Sequence, residues 1–367
     1  MKINFNCRFY KGVKPCDYNK KEGVICENCS YYNPYNKKIL IIKLDAIGDV
    51  LRTTCILQGL KKKYPDSYIE WITCSNSIEL LKNNPYIDEV LEYNLDSYLK
   101  LQNTYYDLVI NPSNDNISSS LLTFVKGKTK KGFGIDKNGS IYPINDKAKK
   151  WLLMGIFDCV KKENKESYQR IVADMVGIEK ENLDIILELT DQEKEFSKKL
   201  KRRWGLKDYK IIGINTGSGM RWPQKMISTE QIITLINKIQ KIEKVKILLL
   251  GGPEERNKNR EIIEKTQNVI DTGCDNSLRE FCAIVSLCDM VICGDTLALH
   301  IASGLRKKTI ALFGPTSSAE IEDYEFIIKI QSDIDCLCCY SICKKHPNCM
   351  DLVDMDKMVK IVKKESK

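Results

Sequence analysis

The sequence predicts a two-domain α/β protein made of doubly wound parallel sheets, and three observations carry that expectation. The 367 residues exceed one ordinary domain of roughly 100–200 residues. From Lys38 onward, short aliphatic runs alternate with helical stretches of ten to fifteen residues, the pattern of stacked βαβ units. A second such series opens at Lys210. With 43% hydrophobic and 29% charged residues, the chain has the composition of a folded globular protein and not of a disordered one.

The first series places strands at KILIIK (38–43), YIEWIT (68–73), DEVLEY (88–93) and YDLVIN (106–111), with helices beginning near Asp49, Ser77, Leu95 and Asn116. The second places strands at KIIGIN (210–215), VKILLLGG (245–252), NVIDTG (268–273), DMVICG (289–294) and KTIALFG (308–314), with helices near Thr229, Pro253, Leu278 and Leu297. The expected division is a Cys-rich extension over 1–37, Rossmann-like domains over 38–189 and 190–335, and a Cys-rich segment with a last helix over 336–367. The charged stretch from Thr190 to Asp208 reads as a hinge, and the last helix as roughly Leu352 to Lys364. No solenoid repeat or low-complexity tract interrupts the pattern.

No apolar run approaches the roughly 18–20 residues that cross a bilayer, and the start MKINFNCRFYKGVKPC has no apolar signal-peptide core. The expected location is the cytoplasm. Lys and Arg outnumber Asp and Glu by 58 to 49, a net charge of +9 that favours anionic partners. The basic runs at 61–63 and 198–203 read as solvated helix faces, so nucleic acid is not expected as a partner.

Ligands of open α/β sheets bind outside the carboxyl ends of the strands, which directs attention to the loops there. After the first strand, KLDAIGDVLRTT carries Gly48 for a tight turn and Asp49 at a helix start; a helix N-cap is the alternative role of Asp49. It contains no G-x-G-x-x-G dinucleotide fingerprint. After KIIGIN, the loop with Thr216, Gly217, Ser218, Arg221, Trp222 and Lys225 offers amides, hydroxyls and cations to a phosphate, or is a Gly-rich connection with Trp222 plugging the core. Glu255 follows LLLGG in a first helical turn, where a carboxylate suits the dipole and can reach ribose hydroxyls. The sharpest signal is CGDTLALHIASG: the strand ends at Asp295-Thr296, a helix begins at once, and His300, one of two histidines in the chain, lies one turn in.

Taken together, LIIKLDAIGDVLRTT with KKKYP behind it, GINTGSGMRWPQK, LLLGGPEER, GDTLALHIASGL and ALFGPTS resemble glycosyltransferase family 9, the heptosyltransferase family, over roughly residues 38–350. The resemblance implies the GT-B architecture, two facing Rossmann-like domains with the acceptor on the first and the nucleotide sugar on the second. By resemblance, Asp49 falls on the catalytic aspartate, Asp295, Thr296 and His300 on the nucleotide-sugar motif, and Glu255 on the ribose-binding glutamate. Two positions depart from the family pattern. Leu297 stands where the family has glycine after Asp-Thr, and Met220 where it has a basic residue, a charge that Arg221 or Lys225 can supply.

The implied reaction is single-displacement transfer with inversion from a nucleotide sugar, ADP-heptose first among donors, to a hydroxyl of a glycan, glycolipid or protein, of lipopolysaccharide type. Asp49 serves as general base, closure over the hinge excludes water, and no catalytic metal is needed. Peripheral contact with the inner membrane surface is expected. Two other readings are a nucleotide-sugar epimerase or hydrolase of the same architecture and a basic zinc-knuckle nucleic-acid binder.

Sixteen cysteines are many for a reducing compartment. Cys55, Cys74, Cys159, Cys274, Cys282, Cys288 and Cys293 sit in apolar patterns and read as small core residues. Cys336, Cys339, Cys343 and Cys349 form C-x2-C-x3-C-x5-C, with Cys338 and His346 interleaved, which suggests structural zinc, with iron or an iron–sulfur cluster as the alternative. Family 9 sequences resemble this tail at Cys349-Met350. Cys7, Cys16, Cys26 and Cys29 could form a second site.

Overall fold

In the computed structural model, which describes residues 1–217, 219 and 222–366, the chain forms two compact units. The first comprises Met1–Asp45, Cys55–Gly155 and Ile171–Leu183, and the second Ala46–Thr54, Ile156–Arg170 and Asp184–Lys367.

The first unit holds a six-stranded sheet of β1 (Lys37–Ile42), β2 (Ser67–Thr73), β3 (Glu89–Glu92), β4 (Tyr105–Asn111), β5 (Lys126–Ile135) and β6 (Ile141–Pro143). Its order is β3-β2-β1-β4-β5-β6, parallel except for the β5–β6 pair. Ile39, Leu40, Ile41 and Ile42 are wholly buried, as expected of a central parallel strand covered on both faces. They pair in register with Ile69 to Ile72 on one side, while Ile39, Leu40 and Ile41 face Leu108 to Ile110 on the other. The sequence reading missed β5 and β6. KGKTKKGFGI exposes its lysine-rich half and buries only Gly132, Phe133 and Gly134, so its apolar signal is too short for periodicity to reveal.

The second unit repeats the plan with β7 (Lys210–Asn215), β8 (Val245–Leu250), β9 (Val269–Asp271), β10 (Met290–Gly294), β11 (Lys308–Phe313) and β12 (Ile327–Gln331), ordered β12-β11-β10-β7-β8-β9 and parallel throughout. The chain winds outward from β7 to β9, then returns to the other side of β7 for β10 to β12. Direction therefore reverses between β7 and β10, and the loops leaving their carboxyl ends flank a crevice. The edge strand β12, partly buried, was also missed.

Two flanking segments are more tightly bound than the sequence suggested. The stretch expected as a hinge contains the helix Asp191–Arg203, started by a Thr190–Glu193 capping box. Ser197 donates to the Ala283 carbonyl at 2.8 Å and Arg279 donates to Glu193 at 2.7 and 2.6 Å, tying it to the helix Leu278–Leu287. The last helix runs Met355–Glu365 behind an Asp354 N-cap. Cys349, Met350, Val353, Met358 and Val362 are buried in the same core as Ile212, Ile214, Ile236 and Ile292, so the tail completes the second unit. Residues 1–36 contain no buried residue.

Met358 is fully buried in that core. Met358→Ala is expected to cost about 2–5 kcal/mol in urea denaturation, the range for a large-to-small core change. A change of a few tenths would mean that the tail is peripheral to the folded unit.

Candidate active site

The site is built at the carboxyl end of β10. All five residues of this strand are buried, and the chain leaves it at Asp295-Thr296 directly into the helix Leu297–Gly304. Thr296 is the N-cap but makes no side-chain capping bond; its hydroxyl turns back to the Gly294 carbonyl at 3.5 Å. The first amides of a helix have no intrahelical acceptor, so this start presents N–H groups and a positive dipole end to an anion. Gly294 is required by close approach, because a Cβ there would strike the Lys225 carbonyl oxygen. That approach brings the Lys225 ammonium to 2.9 Å from the Asp295 carbonyl and 3.3 Å from its carboxylate. Burial acts to raise the Asp295 pKa, but Lys225 and the Arg52 charge prevail and hold it below the usual carboxylate range.

Asp49 belongs to the same unit. Its helix, Ile47–Thr53, packs against the Leu297 helix, and Gly48 makes the contact: an added Cβ would lie 2.8 Å from His300 Cδ2 and 3.6 Å from the Leu297 Cα. Ala46 is the N-cap, so the capping role considered for Asp49 is corrected; Asp49 sits in the first turn and pairs with Arg52 Nη2 at 2.7 Å. Arg52 is mostly buried, its guanidinium carbon 3.9 Å from the centre of the Tyr168 ring. Burial works against its charge, but Asp49, Glu320 and Asp295 outweigh that and raise its pKa further. Arg52 Nε is buried without a hydrogen-bond partner.

His300 is also buried, and its pKa is pushed down to about 4, first by desolvation and then by the Arg52 cation, against the opposing pull of Asp295 and Asp49. It is therefore a neutral imidazole at physiological pH. Glu320 accepts a hydrogen bond from the Tyr340 hydroxyl at 2.7 Å, and burial raises its pKa although Arg52 lies near. Ser317 N–H donates to the same phenol at 3.1 Å, and the Lys161 ammonium lies 4.1 Å from the Tyr340 ring centre.

Of the residues singled out from sequence, Asp49, Lys225, Asp295 and His300 form one charge cluster with Arg52, and Thr296 stands at its rim. Glu255 caps the turn after β8, its carboxylate accepting from Gly252 N–H at 2.8 Å. Gly217 lies beside Glu255, since a Cβ there would be 3.0 Å from its carboxyl group. Thr216 is turned inward: it is buried and donates to Asn259 at 2.5 Å, so its hydroxyl proton is committed within the unit. Ser218, Met220 and Arg221 lie outside the described residues. Asp45, at the end of the first strand's loop, pairs with Lys43 at 3.0 Å and accepts from Ser113, within the first unit.

Arg52, Tyr168, Glu320 and Tyr340 were missed. Arg52 had a legible signal, three residues after Asp49 on one helix face. The other three come from distant segments and carried none. Among the described residues, no group of three or more His, Cys, Asp or Glu side chains is arranged to hold a metal ion. Cys349, expected as a ligand, is a buried thiol in the second unit's core, pushed up to about 11 by burial and by Cys339, Cys336 and Cys343. No helix among the described residues is long and apolar enough to cross a membrane.

Comparison with known proteins bears on the family and the fold. Over 303 residues the chain is 26% identical to lipopolysaccharide heptosyltransferase 1 of Campylobacter coli, covering 77% of this chain and 85% of that protein. Its fold is shared with a family 9 glycosyltransferase from Veillonella parvula (TM-score 0.72, 17% identity, 90% of this chain and 97% of that one). It is shared too with the ADP-heptose lps heptosyltransferase II of E. coli (TM-score 0.65, 17% identity, 89% and 98%). The family model described as Glycosyltransferase family 9 (heptosyltransferase) matches residues 98–348, more than half of the sequence, and the chain belongs to that family.

Proposed function

We propose that this protein is an inverting glycosyltransferase that moves a heptose from ADP-heptose to a hydroxyl of a lipopolysaccharide-type acceptor. The observation that carries the reading is the cluster of Asp49, Arg52, Lys225, Asp295 and His300 beside the helix start at Leu297. Carboxylates, two cations and helix amides gathered in one cluster suit a reaction in which a proton is accepted and a diphosphate leaves. The names of the family and its relatives supply the sugar and the acceptor class. We assign acceptor recognition to residues 38–189 and nucleotide-sugar recognition to 190–335.

In this mechanism the acceptor hydroxyl attacks the anomeric carbon as the bond to the diphosphate breaks. A carboxylate with a reference pKa of ~3.9 cannot deprotonate an alcohol beforehand, so Asp49 accepts the proton late, in the transition state. Arg52 orients that carboxylate through the 2.7 Å pair. Charge developing on the leaving diphosphate meets the helix amides and Lys225, which exchanges part of its contact with Asp295 for the phosphate. Asp295 thereby positions Lys225. His300, neutral and packed against the Gly48 turn, is a hydrogen-bonding group, and we assign Glu255 to the ribose diol.

No step in this scheme uses a metal. We place structural zinc at Cys336, Cys339, Cys343 and Cys349, supported by their C-x2-C-x3-C-x5-C spacing and by Lys345 N–H, which donates to Cys343 Sγ at 3.4 Å.

Asp49→Asn is expected to lower kcat roughly 10²–10⁴-fold in an ADP-heptose transfer assay while ADP affinity stays within a few-fold of wild type. Because the change also strips Arg52 of its counter-charge, turnover should be measured well below the variant's own Tm. Near-normal transfer would sink the assignment. Lys225→Ala, by contrast, should weaken ADP binding in calorimetry, and unchanged binding would remove Lys225 from the donor site.

His300 yields a pH prediction. Its folded pKa of about 4 lies below the ordinary 6.5, so the unfolded chain takes up a proton that the native state refuses as pH falls between those values. The native state should lose about 3 kcal/mol over that window through this residue alone. Urea denaturation of His300→Gln from pH 7 to 4 should show a correspondingly flatter decline, and parallel curves would place the acid sensitivity elsewhere.

A further inference from the structure

We propose that the N-terminal extension is a metal-binding module in which Cys7, Cys16, Cys26 and Cys29 ligate a thiophilic centre, either zinc or an iron–sulfur cluster. The four cysteines come from C-x8-C-x9-C-x2-C, a spacing too open to imply convergence. The fold nevertheless makes all four line one cavity of about 260 Å³. Each arrives on a different local structure: Cys7 in a bridge to Pro34, Cys16 as the N-cap of the helix Asp17–Glu22, Cys26 in a single helical turn, and Cys29 immediately after it. All four are free thiols, partly exposed.

Charge supports the same occupant. Four thiolates around a divalent or cluster core leave net negative charge, and Lys11 and Lys14 line the cavity while no Asp or Glu does. Backbone donation to sulfur is already present, with Asn19 N–H 3.5 Å from Cys16 Sγ. Since no three such side chains among the described residues meet at a point, the centre either spans the cavity as a cluster or draws the loops in around one ion.

The segment also needs a centre. Residues 1–36 bury no side chain; they are held by the Phe9–Tyr18–Tyr31 ring contacts, turn hydrogen bonds, the bonds of Arg8 to Asp88 and the Ser67 carbonyl, and the Tyr35–Tyr68 and Asn36–Asp66 contacts. A segment at the surface of the first unit with so little buried area gains order from a bound metal. Cys7, Cys16, Cys26 and Cys29 are unbridged and so open to a metal.

The test uses the full chain without an affinity tag, prepared anaerobically. Elemental analysis with absorption spectroscopy should find a centre that Cys26→Ser/Cys29→Ser removes and Cys336→Ser/Cys339→Ser leaves in place, which separates it from the C-terminal cysteines. Stoichiometric zinc, or iron with acid-labile sulfide, would each support the module and identify the centre. Where the first variant fails to fold, iodoacetamide labelling of the wild-type chain gives the answer. Cys7, Cys16, Cys26 and Cys29 should be protected until a chelator is added, while exposed Cys159 labels at once. Immediate labelling of all four, disulfides among them, or metal content unchanged by Cys26→Ser/Cys29→Ser would overturn the proposal.

Discussion

A guanidinium taken largely out of water must find counter-charge and a ring to lie on, and Arg52 meets that demand with Asp49 at 2.7 Å and Tyr168 at 3.9 Å. The arrangement of the site depends on this pairing. The Ile47–Thr53 helix that carries it packs against the Leu297–Gly304 helix, and the two fit only because Gly48 has no side chain to meet His300. The same cation explains part of the neutral state of His300 and part of the ionised state of Asp295. One buried cation thus lowers the pKa of both neighbours, helping to keep the imidazole neutral and the carboxylate ionised.

The second sheet supplies the frame. Reversal of winding between β7 and β10 places the loops leaving those strands at one crevice, and the missing Cβ of Gly294 lets the Lys225 backbone close over the strand end. Lys225 is then positioned by the residue following the strand, through both the carbonyl and the carboxylate of Asp295. Glu255, capping the turn after β8, belongs to the same edge. The C-terminal helix supports this frame from behind by completing the core beneath β7 and β10.

Much of the fold was legible because a parallel strand covered on both faces needs a continuous aliphatic run, as in KILIIK and MVICG. Where burial is confined to one end, as in β5, or to a half-covered edge, as in β12, the run is too short to read. The stretch read as a hinge shows a related limit of sequence. Charges on the helix Asp191–Arg203 look solvated in sequence, whereas Glu193 is engaged by Arg279 from a helix some eighty residues away.

By itself the sequence determined the strand–helix rhythm, the loops in which chemistry collects, and the family to which Asp49, Asp295 and His300 point, because these follow from local periodicity and from residues fixed within short motifs. Tertiary structure decided the rest. It turned Thr216 inward, made Cys349 a core thiol, placed Tyr168 and Glu320 beside Arg52, and gathered four widely spaced cysteines around one cavity. The physical reason is common to all four: burial, charge and cavity shape arise from contacts between distant segments, and no spacing along the chain encodes the distance between groups that only folding brings together.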